Sequence, residues 1–376
     1  MNVLMMNIEF PPLGGGAANA CYHMLREFAE KDVRMDLVTS NIEDRFEEVR
    51  FSKGIRVFKL PIKRKNIHVW RNSEVIRFTV LARRCIKRLM KERQYHVIHA
   101  FFGVPSGWVV KGLGVPYIVS LRGTDVPGYN LRYRNEYMLL APIVRSVWSN
   151  AAFVVANSSG LKDLALQFMP GQRIEVIENG VDMGPFTPSG LDGKGLSVLC
   201  VSRLVERKGI RYLIEAMKRL RGKDISLTII GEGDQMVSLK ELVKKDRLEG
   251  TVDLLGYKEY GELPGYYGDS DVFVLPSLNE GMSNTVLEAM ASGLAIVTTD
   301  TGGTKELIDG NGIVVEKRDP VAIAKALEGL YKDRKALKAM GDRSLEIASN
   351  MTWGSVTDRY LTLYEKAKAR GTRRHG

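Results

Sequence analysis

The strongest constraint on this chain is a rhythm that occurs twice. Short apolar runs alternate with amphipathic stretches, the pattern of a βα-repeated fold built on parallel sheets. The first series places strands at "NVLMMNIEF" (2–10), "VRMDLVTS" (33–40), "YHVIHAF" (95–101), "PYIVSL" (116–121) and "AAFVVANS" (151–158). "FTPSGLDGKG" (186–195) then interrupts with Pro, Gly and Ser and reads as a linker. The second series follows with "LSVLCVS" (196–202), "ISLTIIG" (225–231), "VDLLG" (252–256), "DVFVLPS" (271–277), "LAIVTT" (294–299) and "GIVVE" (312–316). With 376 residues, 44% of them hydrophobic and 26% charged, the chain can fill two cores. The expectation is an α/β protein with two doubly wound domains, 1–185 and 196–351, and a ligand cleft between them.

The charge balance is lopsided. The net charge is +11, and residues 51–100 carry a large excess of Lys and Arg over Asp and Glu. Within that block, "SEVIRFTVLARRCIKRLMKER" (73–93) sets Ile76, Val80, Ile86, Leu89 and Met90 at helical spacing, with Arg77, Arg84, Lys87, Arg88 and Lys91 largely opposite. "KLPIKRKNIHVW" (59–70) adds further basic residues and an aromatic. Two readings follow: a core-packed helix with a solvated basic face, or a surface that docks on anionic lipid. No motif supports nucleic-acid binding. Cys21, Cys85 and Cys200 show neither disulfide nor zinc-ligand spacing. With no signal peptide and no apolar run of membrane-spanning length, the chain is expected in the cytoplasm, peripheral on the inner face of the cell membrane.

In doubly wound sheets, ligands bind beyond the carboxyl ends of the strands. "LPSLNEGMSNTVLEAMASG" (275–293) therefore draws attention: a strand, the loop "LNEGMS", and a helix capped by Ser283 or Asn284 with Gly293 after its end. Glu280 falls in the loop and Glu288 one turn inside the helix, where two carboxylates can accept the paired hydroxyls of a ribose or hexose. The plain alternative is that Glu288 is an exposed helical residue. Cations stand nearby in the chain's logic, because "VSRLVERKG" (201–209) puts Arg203 and Lys208, with Arg207 beside them, at the end of the second domain's first strand. Such charges can hold a diphosphate and stabilise it as a leaving group without a metal. In the first domain "PPLGGGAAN" (11–19) offers Gly14, Gly15 and Gly16 at a helix N-terminus, where backbone can approach an anion.

Assembled in order, "GGGAANACYHMLREFAE", "HVIHAFFGVPSG", "IEVIENGVD", "CVSRLVERKGIRYLIEA", "LTIIGEGD", "FVLPSLNEGMSNTVLEAMASG" and "TGGTKELI" make the chain resemble, over nearly its whole length, a family 4 retaining glycosyltransferase of the GT-B fold. That resemblance implies two Rossmann-like domains facing each other across a cleft, the first binding acceptor and the second the nucleotide sugar. The last helix (352–376) would cross back to the first domain. By position, Glu280 would contact the donor hexose, Glu288 the ribose, and Arg203 and Lys208 the diphosphate. Gly15 and Gly16 would approach the phosphates, and backbone amides at Met282, Ser283 and Asn284 would meet sugar hydroxyls. Backbone near Gly256 and Tyr257 would meet the base.

One departure from the family stands out. Many relatives carry His-Gly where this chain reads "SLRGTDVPG" (120–128), and Arg122 takes the His position. A guanidinium cannot serve as a general base near neutral pH. Arg122 is expected to hold a phosphate or acidic acceptor, with Asp125 and His99 as acceptor-side candidates. The pair Asp269 and Asp271 has metal-binding D-x-D spacing but enters a strand at its amino end, so no metal site and no cofactor is expected. The implied activity is retaining, metal-independent transfer of a hexose from a UDP- or GDP-linked donor to a glycan or lipid-linked acceptor. The alternatives are a GT-B phosphorylase, a sugar-nucleotide epimerase, and a non-catalytic sugar-nucleotide-binding protein.

Overall fold

The computed structural model describes residues 1–64, 70–130, 134–188 and 195–372. Parts of the basic segment 59–70, of the expected linker and of the tail fall outside the described residues. The chain divides into two units: Met1–Asn179 with Trp353–Gly376, and Gly180–Thr352.

The first unit holds β1 (Asn2–Met6), β2 (Arg34–Ser40), β3 (Glu47–Arg50), β4 (Ile55–Leu60), β5 (Val97–Phe101), β6 (Tyr117–Leu121), β7 (Phe153–Ala156) and β8 (Ile174–Val176) in the spatial order β3-β4-β2-β1-β5-β6-β7-β8. All neighbours are parallel except β3 against β4. The central strands are buried along their length, as strands covered by helices on both faces must be. One cover is the helix Trp353–Thr372, whose Val356, Tyr360, Leu363, Tyr364 and Ala367 share a core with Met5, Phe28 and Phe101. The second unit holds β9 (Leu196–Val201), β10 (Ile225–Ile230), β11 (Val252–Gly256), β12 (Val272–Leu275), β13 (Ala295–Thr299) and β14 (Gly312–Val315), all parallel in the order β11-β10-β9-β12-β13-β14. Each sheet is doubly wound, and its strand order reverses next to β1 in the first unit and next to β9 in the second.

Three features differ from the sequence reading. The units divide at Asn179/Gly180 rather than at 185, because Val181 pairs with Thr352 and Phe186 packs edge-on against Tyr267 inside the second unit. Strands β3, β4 and β8 join the expected set. The helix Asn72–Glu92 buries Phe78, Ala82, Cys85, Ile86 and Leu89, whereas Ile76 is 65% and Val80 45% exposed, so these two lie outside the core. No helix among the described residues is long and apolar enough to cross a membrane.

Candidate functional site

In the second unit the strand order reverses between β9 and β12, and the loops leaving these strands carry the residues singled out in the sequence. Gly209 brings the loops together: its φ is +66°, and a Cβ there would lie 2.2 Å from the Pro276 carbonyl oxygen. Beside it, the Leu278 N–H donates to the Arg207 carbonyl at 2.8 Å, and Arg207 Nη1 lies 3.4 Å from the Asn279 carbonyl. This clamp sets the Lys208 ammonium in an ion pair with the Glu280 carboxylate, both nearly removed from solvent. Burial opposes ionisation of Glu280, but the charges of Lys208, Arg207 and Arg203 outweigh it and hold the carboxyl below its usual range. The Gly302 N–H donates to the Glu280 carbonyl at 2.9 Å, fixing the loop from its other side. Arg203, exposed on the β9 loop, adds a third cation to the same electrostatic environment.

Ser283 caps the helix Asn284–Ala291, its hydroxyl accepting from the Val286 N–H at 3.4 Å. Met282 and Ser283 are buried, and Asn284 opens the helix. Glu288 is not an exposed helical residue. It is buried, and the Tyr267 hydroxyl donates to its Oε2 at 2.8 Å. Burial raises its carboxyl to about 7 despite that hydrogen bond. Glu280 and Glu288 thus have separate partners and opposite electrostatic characters: one held ionised by cations, the other pushed by burial toward its neutral form. Gly256 ends β11 with its carbonyl accepting from Gly231 at 2.8 Å, and Tyr257 beyond it is largely exposed. Asp271 Oδ2 accepts from the Ser197 N–H at 2.8 Å, at the amino ends of β12 and β9, the opposite end of the sheet from these loops.

In the first unit Gly14 has φ +95°, and a Cβ there would lie 2.5 Å from Glu9 Oε2. Gly15 caps the helix Gly16–Ala29, and a Cβ there would meet nothing within 4 Å, so its lack of a side chain leaves open space. Arg122 stacks over Phe101 at 4.4 Å and donates from Nη1 to Asn179 Oδ1 at 2.9 Å. Asp125 is committed to the backbone: its Oδ1 accepts from Arg122 N–H at 2.9 Å and its Oδ2 from Gly103 N–H at 2.8 Å, so it braces a loop. His99, offered above as an acceptor-side candidate, is a core residue. Its Nδ1 lies 2.7 Å from the Tyr364 hydroxyl and its Nε2 2.6 Å from Ser120 Oγ, and burial with the Arg122 charge holds its pKa well below 6.5. Both nitrogens are occupied, which corrects that expectation. Tyr267, Arg207 and Gly302 were not singled out as partners of the two glutamates. Arg207 adjoins Lys208 in the sequence and Gly302 falls in "TGGTKELI", while Tyr267 carries no local signal.

Comparison with known proteins gives two adjoining family matches, Glycosyltransferase Family 4 over residues 14–184 and Glycosyl transferases group 1 over residues 186–346. An uncharacterized glycosyltransferase of Methanocaldococcus jannaschii is 25% identical over 97% of this chain and 98% of its own length. A GDP-mannose-dependent alpha-(1-6)-phosphatidylinositol monomannoside mannosyltransferase of Mycobacterium tuberculosis is 30% identical over 54% of this chain and 56% of its own. Among solved structures, sucrose-phosphate synthase from Thermosynechococcus elongatus superposes with a TM-score of 0.84 at 19% identity, covering 98% of this chain and 100% of that one. Anabaena HepE in complex with UDP and glucose gives 0.73 at 18% identity, covering 96% and 98%. These likenesses establish the GT-B fold.

Proposed function

The chain belongs to the family 4 glycosyltransferases, and from that premise we propose that it moves a hexose from a UDP- or GDP-linked donor to an acceptor hydroxyl with retention of anomeric configuration and without a metal. The observation that carries this reading is the set of three cations, Arg203, Arg207 and Lys208, gathered around Glu280 where the second sheet's strand order reverses. As the bond between the sugar carbon and the diphosphate oxygen breaks, negative charge grows on the leaving oxygen, and Arg203 and Lys208 stabilise it. The acceptor oxygen attacks from the same face and its proton passes to the departing phosphate. Glu280 aligns the hexose hydroxyls and Glu288 the ribose, while Gly15 and Gly16 admit the phosphates and Met282, Ser283 and Asn284 present backbone amides to the sugar. Gly256 and Tyr257 border the base. Arg122, a permanent cation, binds an anionic group of donor or acceptor and takes no proton.

The test begins with thermal shifts against uridine, guanosine and adenosine diphosphates and their sugar conjugates; a ligand at 100 times its dissociation constant stabilises by about 2.7 kcal/mol. A shift with one base names the donor class, and proton NMR of the product then reads the anomer. An inverted product, or sugar 1-phosphate formed on adding inorganic phosphate, would defeat this reading. A lipid-linked or surface-glycan acceptor at the cytoplasmic face of the cell membrane is supported by the exposed stripe Ile76, Val80, Arg84, Lys87 and Lys91 on the helix Asn72–Glu92. The mannosyltransferase relative, by its name, acts on a phosphatidylinositol mannoside.

A further inference from the structure

At the amino ends of β2 and β4, the end of the first sheet away from its glycine loop, lies a cavity of ≈ 860 Å³. Six cationic side chains line it, Lys31, Arg34, Arg50, Lys53, Arg56 and Arg93, against the carboxylates of Asp32 and Glu48. Two of the six are held from behind. Asp36, fully buried, accepts from Arg56 Nε at 2.8 Å and Nη2 at 2.9 Å, from Arg93 Nη1 at 3.1 Å, and from the Tyr95 hydroxyl. An interior carboxylate that accepts from both guanidinium groups fixes them in the wall before any ligand arrives. Lys31 is taken by Asp358 at 2.6 Å. Arg34, Arg50 and Lys53 make no ion pair among the described residues.

The strand register sharpens the point. Arg50 on β3 is the direct cross-strand partner of Arg56 on β4, and like charges so placed repel. The turn between these strands also carries Ser52, whose buried hydroxyl finds no hydrogen-bond partner among the described residues. A solvated basic surface would spread its cations apart. Here a buried carboxylate, a hairpin and the turn before β2 bring them around one concavity. We propose that this cavity is a binding site for a polyphosphorylated ligand, with Arg34 and Arg50 each forking onto phosphate oxygens and Lys53 supplying a point charge. At least two phosphate groups match three unpaired cations in a space far larger than one phosphate. The cavity shares no residue with the proposed donor site: Arg203, Lys208, Glu280 and Glu288 lie on the other unit, and Gly15 and Gly16 follow the carboxyl end of β1, the opposite end of the first sheet.

Inorganic tripolyphosphate titrated calorimetrically into the full chain at about 0.15 M salt tests it, since screening at that strength suppresses diffuse attraction. Three proteins are compared: the unaltered chain, Arg203→Ala/Lys208→Ala, and Arg34→Ser/Arg50→Ser/Lys53→Ser. The last changes only exposed side chains, and its circular dichroism and melting should match the unaltered chain. The expected result is binding that survives in the double variant and weakens at least about tenfold in the triple variant, the loss of several charge-assisted contacts. Binding undiminished in the triple variant, or absent from both other proteins, overturns the proposal. A parallel sedimentation with phosphatidylcholine vesicles, with and without phosphatidylinositol bisphosphate, separates the sources. Retention that needs both this lipid and the three cations assigns a lipid headgroup, and binding of tripolyphosphate alone assigns a soluble ligand.

Discussion

Glu288 makes stability depend on pH at a single side chain. Its folded carboxyl, raised by burial to about 7 from an ordinary 4.5, keeps a proton that the unfolded chain has already released over that interval. Stability attributable to this group is therefore full below about 4.5, falls as pH climbs toward 7, and is level above. Glu288→Gln should leave stability at pH 4.5 nearly unchanged, raise it at pH 8 by up to about 3 kcal/mol, and weaken donor binding. Urea denaturation at both pH values, with donor affinity alongside, checks this; an unchanged pH slope in the Gln variant would show that another group carries it. Lys208 behaves in the opposite sense. Replacing it with Met strands a buried carboxylate and should cost roughly 3 kcal/mol, while Lys208→Met/Glu280→Gln should recover most of that loss. Neither variant should transfer sugar, and a double variant no more stable than the single one would break the pairing argument. The sequence marked Glu280, Arg203 and Lys208 because charged residues in strand-end loops leave a local trace, and Glu288 by its place in the helix that follows. It did not mark Tyr267, because a hydroxyl buried beside a glutamate 21 residues away leaves none.

At the scale of elements, strands buried on both faces were legible as unbroken apolar runs, while β3 and β4 were not. "EEVR", the edge strand, is mostly charged, and "IRVFKL" beside it breaks its apolar run with Arg56 and Lys59, so both resemble loop. The helix Asn72–Glu92 misled for a different reason: it has apolar residues on two sides, and only packing against Ile98 and Phe58 reveals that Phe78, not Ile76, points inward. The helix Trp353–Thr372 was expected from a family likeness, yet its hold on the first sheet is specific chemistry. Tyr364 bonds His99, and Tyr360 bonds Ser120, which also bonds His99. Tyr364→Phe should cost about 1–2 kcal/mol by leaving a buried imidazole nitrogen unsatisfied, and Tyr360→Ala about 3–5 kcal/mol by adding a cavity. Denaturant midpoints measure both, and a cost for Tyr364→Phe within error of zero would mean that water replaces the hydroxyl. Ending the chain at Met351 should expose this face of β5 and β6, leaving the first unit unable to fold.

For the whole molecule, the most uneven property is where its charge lies. Part of the excess within 51–100 enters two separate features of the first unit: Lys53, Arg56 and Arg93 line the cavity at the amino ends of β2 and β4, and Arg84, Lys87 and Lys91 form the stripe on the helix Asn72–Glu92. Composition alone reveals the excess but not its partition, because the partition depends on Asp36 drawing Arg56 and Arg93 inward while Arg84, Lys87 and Lys91 stay in solvent. Ile76, Val80, Arg84, Lys87 and Lys91 recur at helical spacing along one side, and none of the three cations is ion-paired among the described residues, whereas Arg77 is neutralised by Asp44 and Arg88 faces Glu92. Two apolar residues at one end of a cationic stripe suit an interface of acyl chains and anionic headgroups, where each basic residue contributes about 1 kcal/mol and the attraction fades beyond a Debye length. The chain should therefore sediment with vesicles containing phosphatidylglycerol at low salt, and retention should fall steeply as salt rises. Ile76→Asp/Val80→Asp should abolish retention even at low salt, whereas Lys87→Glu/Lys91→Glu should weaken it by about tenfold or more. Arg34→Ser/Arg50→Ser/Lys53→Ser should leave it intact, because those side chains lie in the cavity at the strands' amino ends. Equal loss in all three variants would mean that net charge, not this stripe, brings the protein to a membrane.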